Sequence, residues 1–435
     1  MARSERGTAT GRFALSQTTT WWLSILTLLM LATWMWLGIH FWQPETAEAP
    51  GAAAASVGGA ELPPADATGS LGSGEVVEGP WGRLEMVPIT ISPPPEFVVE
   101  GGEDDREEVV WHFVNVSPAR LSDQLLELGL PDSLVVRLRA ATKLNHTIGG
   151  CSVFPDRELV LGLSPEVRRK LYVFLHSFRE NEDQCNGFQF CGESMDSWIG
   201  DSPLLPETRD LITPLIYRQG GFLFFSDLRS VLPLLPSEAE RRRLILTMTR
   251  EATLLLRLKI SPDSDLDALA DYWGRGGRAK EVRPILESLA RLGGEQSLDV
   301  THLLPPFARQ RLYTYPVLPG TIPDSSHDCH WTALNFFREQ PDERFGKVQT
   351  AFDTFGQDYY RIFRNPQFGD LVVYVDHEDR TIHSAVYIAA DVVFTKNGST
   401  ILRPWMFMKL DDMDQFYPRP RRQELTRAFF RRKGM

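Results

Sequence analysis

The sequence predicts an α+β fold: an N-terminal transmembrane helix, a disordered linker, a mainly helical middle domain, and a C-terminal helix packed on a small antiparallel sheet. Three observations lead there. Residues 21–42 contain no Lys, Arg, Asp or Glu. Residues 43–110 carry fourteen acids against only Arg83 and Arg106, in a background of Ala, Gly and Pro. After residue 370, four short apolar runs alternate with turn-forming clusters, the pattern of hairpin-connected strands.

As a helix, residues 21–42 would be about 33 Å long, enough to cross a hydrocarbon core. Trp21, Trp22 and Trp42 mark its two ends, where indole favours the headgroup level. Arg3, Arg6 and Arg12 precede it against Glu5 alone, so residues 1–20 are expected in the cytoplasm and the bulk of the chain outside. Ala47 and Ala49 resemble a signal-peptide cleavage site, but Pro50 would follow the cut and hinder it. The expectation is a single uncleaved span in a bacterial inner membrane, with the lipid bilayer as a partner through residues 21–42 and a periplasmic globular part.

The acidic linker accounts for the low pI, because residues 111–435 are close to neutral. A segment this poor in apolar residues cannot bury enough surface to order itself. As a coil it would reach about 45 Å, the dimension of a tether.

Residues 111–310 read as a mainly helical domain of unknown role. Ser164-Pro165-Glu166 starts a helix running to about residue 178. Ser237 and Glu240 form a capping box ahead of a run to about residue 259. Ser261-Pro262-Asp263 opens another helix, ending near Trp273-Gly274, and residues 280–292 form a fourth, stopped by Gly293-Gly294. Residues 158–163 and 222–225 read as strands. Cys185 and Cys191 are close enough in sequence for a small disulfide loop, with reduced thiols the alternative. Residues 274–278 (Gly-Arg-Gly-Gly-Arg) could hold an anion or simply connect two helices. Asn145-His146-Thr147 fits a glycosylation sequon, a match common by chance.

The chemistry concentrates in residues 311–418. Cys329 follows Asp328 at a helix start, and His383 opens a strand 54 residues later. A cysteine at a helix N-terminus is expected to be acidified by unpaired amides and by an adjacent imidazolium. Its thiolate would attack an acyl carbon; the imidazole would protonate the leaving amine and then activate water. A third polar group should orient the ring. The polar side chains nearby are His377, in the preceding hairpin, Thr395 and Asn397. The proposed chemistry needs no cofactor and no metal.

This stretch resembles the NlpC/P60 cysteine peptidase family, papain-like enzymes that trim bacterial peptidoglycan. The resemblance is carried by Asp328-Cys329, by residues 366–373 (Pro-Gln-Phe-Gly-Asp-Leu-Val-Val), and by His383-Ser384-Ala385-Val386-Tyr387. It covers about 90 of the 435 residues. His330-Trp331 stands where the family usually has Ser-Gly, and one extra residue precedes Gly369. The resemblance implies a papain-like C-terminal domain and amide hydrolysis in a peptidoglycan stem peptide, with Cys329 as nucleophile, His383 as base and Asn397 as orienting group. The other expectation is a non-catalytic envelope protein that binds wall fragments or a protein partner. Residues 419–435 form a basic tail, suited to anionic lipid or wall polymer or simply frayed. Nucleic acid is not an expected partner of a chain held outside the cytoplasm.

Overall fold

The structure, a computed structural model, describes residues 74–98, 108–192, 194–316, 327–378, 380–417 and 425–435. Its strands order the chain. β1 (Glu75–Gly79) and β2 (Gly82–Ile91) form a hairpin whose turn needs Gly82, at φ 90°. β3 (Trp111–Phe113), β4 (Thr142–Asn145) and β5 (Gly150–Val153) make a sheet in the order β3-β5-β4. β6 (Phe188–Cys191), β7 (Tyr217–Gln219) and β8 (Phe222–Phe225) make another, in the order β6-β8-β7. β9 (Glu251–Ile260) and β10 (Gln296–Asp299) join the first hairpin in the order β1-β2-β9-β10. β11 (Tyr359–Ile362), β12 (Leu371–Val375), β13 (Thr381–Ala389), β14 (Val392–Lys396), β15 (Trp405–Lys409) and β16 (Thr426–Arg432) form the largest sheet. Its order is β11-β16-β12-β13-β14-β15, and every pairing is antiparallel.

This architecture corrects the expected fold class. The protein mixes helices and sheets throughout the described residues, including the stretch expected to be mainly helical with a few strands. Residues 75–91, expected as disordered linker, form a hairpin whose second strand pairs through residues 83–91 with residues 251–259 of β9. The expected span at 21–42 lies outside the described residues, and among the described residues no helix is long and apolar enough to cross a membrane. Nor does the middle region stand apart as a helical unit. One apolar core takes Leu84 from β2, Leu256 and Leu258 from β9, Trp273 from helix Leu266–Trp273, Trp331 from helix Cys329–Asn335, and Val386 and Phe394 from the large sheet. Polar bonds cross the same seam: Tyr272 Oη donates to the Ile388 carbonyl at 2.8 Å, and Thr253 Oγ1 donates to the Phe407 carbonyl at 2.9 Å.

Local signals explain several elements. Ser164 caps helix Pro165–His176 and Ser237 caps helix Glu238–Met248, each accepting the amide two or three residues into the helix. The second helix is shorter than the periodicity implied. Beyond Thr249 the sequence alternates, with Leu256, Leu258 and Ile260 buried and Arg257 and Lys259 turned outward, so β9 forms there. The run at 158–163 is helical, Arg157–Leu161, because Asp156 Oδ1 accepts the Leu159 amide at 2.7 Å and starts a turn. The β13–β14 turn places Ala390 and Asp391 at φ 48° and 56°, the doubly left-handed turn that suits strand twist.

The basic C-terminal segment is not a frayed end. β16 lies inside the large sheet, between β11 and β12. Arg431 donates to both oxygens of fully buried Asp370, at 2.9 and 2.7 Å, and Arg275 lies 3.6 Å from the same carboxylate. The 274–278 loop therefore uses its arginines internally, Arg278 donating to the Leu303 carbonyl at 2.8 Å. Breaking a buried ion pair from one side costs about 3 kcal/mol or more, because the other charge stays buried. Arg431→Ala is therefore expected to lower unfolding free energy in urea by roughly that amount; a loss below about 0.5 kcal/mol would mean that β16 contributes little to the sheet.

Candidate functional site

Asp328 is the N-cap of helix Cys329–Asn335, its Oδ1 accepting the Trp331 amide at 2.8 Å. That is the structural reason for an acid directly before the cysteine. Cys329 begins the helix and is 6 % exposed. The helix packs on β13 and β14. Ser384 Oγ donates to the Cys329 carbonyl at 3.3 Å and is hydrogen-bonded to His330 Nδ1 at 2.9 Å. Because the serine hydroxyl has one proton, His330 Nδ1 must be the donor there, leaving Nε2 with the lone pair.

The thiol is not acidified as expected. Burial pushes Cys329 up to about 12, and the Asp328 carboxylate adds to that. The amides of Ser384, Cys329 and His330 oppose it by favouring the thiolate. A helix of two turns has a weak dipole, and its capping carboxylate offsets what there is.

His383 is fully buried, and its Nε2 shares a 2.9 Å hydrogen bond with Thr395 Oγ1. Its ring stacks on Tyr417 with centroids 4.0 Å apart. Among the described residues Nδ1 has no hydrogen-bond partner, the Cys329 sulfur included. Burial, with the nearby His330 charge, lowers its pKa well below the ordinary histidine value. The imidazole is thus neutral. Strand alternation explains the separation. Val386 and Ile388 face the core that holds helix Cys329–Asn335, whereas Ala385 and Tyr387 face the opposite cluster with Tyr374 and Met408. Ser384 follows the first set and His383 the second. The structure brings Cys329 to the strand of His383 but does not hydrogen-bond it to the imidazole.

Asn397 is not the orienting group. Its Oδ1 accepts from Tyr417 Oη at 3.2 Å and its Nδ2 donates to Met408 Sδ at 3.5 Å, so it reaches His383 only through the stacked tyrosine. Thr395 holds the ring directly, because residues two apart on β14 share a face and Thr395 is the one level with His383. His377 is exposed and 3.5 Å from Glu378. Lys396 was not singled out from sequence, although it is fully buried. A lysine ending an apolar strand normally reads as the point where the strand meets water.

No disulfide joins Cys151, Cys185, Cys191 or Cys329, so the possible 185–191 bridge is not formed. Among the described residues no group of His, Cys, Asp and Glu could hold a metal ion. Asn145, the sequon residue, donates to Ser152 Oγ at 3.0 Å.

No family model matches the chain, and neither a curated protein nor a solved structure matches it.

Two predictions follow from the ring's surroundings. A histidine with a depressed folded pKa stabilises the fold above its unfolded pKa, near 6.5, and that stability is lost as pH falls. The melting temperature should drop between pH 7 and pH 5, and His383→Gln should reduce the drop; an identical drop in the variant would remove His383 as its source. Thr395→Val leaves Nε2 unpaired in the interior and should cost about 1–3 kcal/mol in urea unfolding, whereas Asn397→Ala should cost less; the reverse ranking would restore Asn397 as the residue that holds the ring.

Proposed function

We propose that the protein is a cysteine hydrolase acting on amide bonds, with Cys329 as nucleophile, His383 as base and Thr395 as the residue that orients the base. The observation that carries this reading is the placement of Cys329 at the start of a helix packed on the His383 strand, where the amides of Cys329, His330 and Ser384 favour its thiolate. Amides so placed stabilise negative charge on sulfur or on the oxygen of an attacked carbonyl. The unpartnered Nδ1 of His383, one residue from the Ser384 amide, supports it as the nitrogen free to exchange a proton. The NlpC/P60 resemblance supplies the substrate class, a peptidoglycan stem peptide, and with it a periplasmic location.

A second reading is favoured by one observation. Cys329 and His383 are both buried, and the thiol and imidazole are both neutral at pH 7. A non-catalytic envelope protein that binds wall fragments would need no more than that.

Digestion of purified muropeptides by the full-length chain separates the two. Hydrolysis should be lost in Cys329→Ala and fall by about 10²–10⁴ in His383→Ala. Should the wild type leave muropeptides intact yet bind them as tightly as Cys329→Ala does, the hydrolase reading falls and the binding one replaces it.

A further inference from the structure

Lys396 is a buried ammonium without a carboxylate counter-ion. It is 0 % exposed, and among the described residues no acid lies within ion-pair distance. Its Nζ donates to the carbonyls of Gly398 at 2.6 Å and Thr400 at 3.0 Å. An ammonium carries three N–H donors, so one remains for another acceptor. Two carbonyl dipoles alone are poor compensation for a charge removed from water. Proteins normally pair such a group or let it lose its proton.

Its position indicates what the charge is for. Phe394, two residues earlier, faces the core that contains the Cys329 helix, and strand alternation puts Lys396 on the same face. Its register partner is Trp405, whose ring lies 5.9 Å from Nζ. Trp405 Nε1 in turn donates to Thr332 Oγ1, in the first turn of that helix, at 2.9 Å. Thr395, which holds His383, faces the other way. β14 thus presents a hydroxyl to the imidazole and an ammonium to the cysteine side. The charges that favour protonation of Lys396 are those of Cys329 and Asp328, while burial brings it down to about 8.

We propose that Lys396 is the cation that compensates negative charge formed on Cys329. The proposal rests on reading Cys329 as the nucleophile. Ionisation turns the buried thiol and ammonium into a thiolate and ammonium, the thiol proton leaving to solvent. The other titratable and charged groups around them are Asp328 and His330 at the start of the Cys329 helix, Arg403 after β14, Arg311 over Trp405, and His327 with Glu343, with His383 on the opposite face of β13. Burial lowers the imidazoles of His327, His330 and His383, so they are neutral above pH 7.5. Lys396 is the group brought down into that range, to about 8.

The test is the rate of Cys329 alkylation by iodoacetamide between pH 6 and 10 in the full-length chain, read on the Cys329 peptide by mass spectrometry. The thiolate displaces iodide, so a C–S bond forms, a C–I bond breaks, and the thiol proton goes to solvent. An isolated thiol well below its pKa reacts about tenfold faster for each pH unit. With Lys396 as partner the wild-type rate should climb to about pH 8 and then flatten, because the ammonium disappears as fast as hydroxide rises. Lys396→Met should react at least tenfold more slowly at pH 7.5 and rise without a bend, while Lys396→Arg should keep the higher rate. Cys151, Cys185 and Cys191 are internal controls, since loosening of the fold would raise labelling at all four cysteines. If Lys396→Met does not fold, the wild-type curve decides alone: a straight rise to pH 10 overturns the proposal. Equal rates in wild type and Lys396→Met overturn it as well. Muropeptide cleavage is a separate readout, so a flattened labelling curve without cleavage keeps Lys396 and removes the hydrolase, and cleavage with an unbent curve does the reverse.

Discussion

The buried carboxylate of Asp370 is the point on which the C-terminal half closes. It sits just before β12, receives two hydrogen bonds from Arg431 on β16, accepts the Gln367 amide at 2.8 Å, and lies beside Arg275 of the loop after helix Leu266–Trp273. Three segments far apart in sequence therefore meet at one charge. A lone carboxylate could not remain ionised in that interior, and neither arginine could be drawn inward without it. The ion pair also fixes the register of β16 against β12, so that Phe430 stands opposite Leu371. Since β12 pairs in turn with β13, the placement of the His383 strand depends on it.

Around the Cys329 helix the same physics acts in the opposite sense. Burial there favours neutral forms: the thiol is raised, both imidazoles are lowered, and Lys396 is brought down to about 8. A cysteine and a histidine buried separately do not form the ion pair that activates a papain-like thiol. Any negative charge on Cys329 is met by backbone amides on one side and Lys396 on the other. The two sides of β13 and β14 thus hold two polar groups, His383-Thr395-Tyr417 and Cys329-Ser384-Lys396, separated by the strand backbone.

Much of the local structure was legible. The strands at Leu371–Val375, Thr381–Ala389, Val392–Lys396 and Trp405–Lys409 follow from apolar runs bounded by turn residues. The caps at Ser164, Ser237 and Asp328 were readable because a short polar side chain satisfies amides within a few residues of itself. Readings failed where the partner was distant. The stretch after Thr249 looked helical because Leu-rich runs suit either state, and the pairing with β2 decided for strand. Residues 75–91 looked disordered by composition, yet Leu84 and Met86 of β2 share a core with apolar residues of β9 and helix Leu266–Trp273. The basic tail looked solvated because nothing within it shows that Asp370 neutralises Arg431.

By itself the sequence determined where the cysteine helix begins and where the histidine strand lies, since these depend on contacts a few residues long. Only the tertiary structure decided which faces those side chains take, that Thr395 and not Asn397 holds the imidazole, that the last strand lies inside the sheet, and that Lys396 is buried. Those outcomes depend on strand register and on desolvation, which are set by segments tens to hundreds of residues away, and no local pattern encodes them.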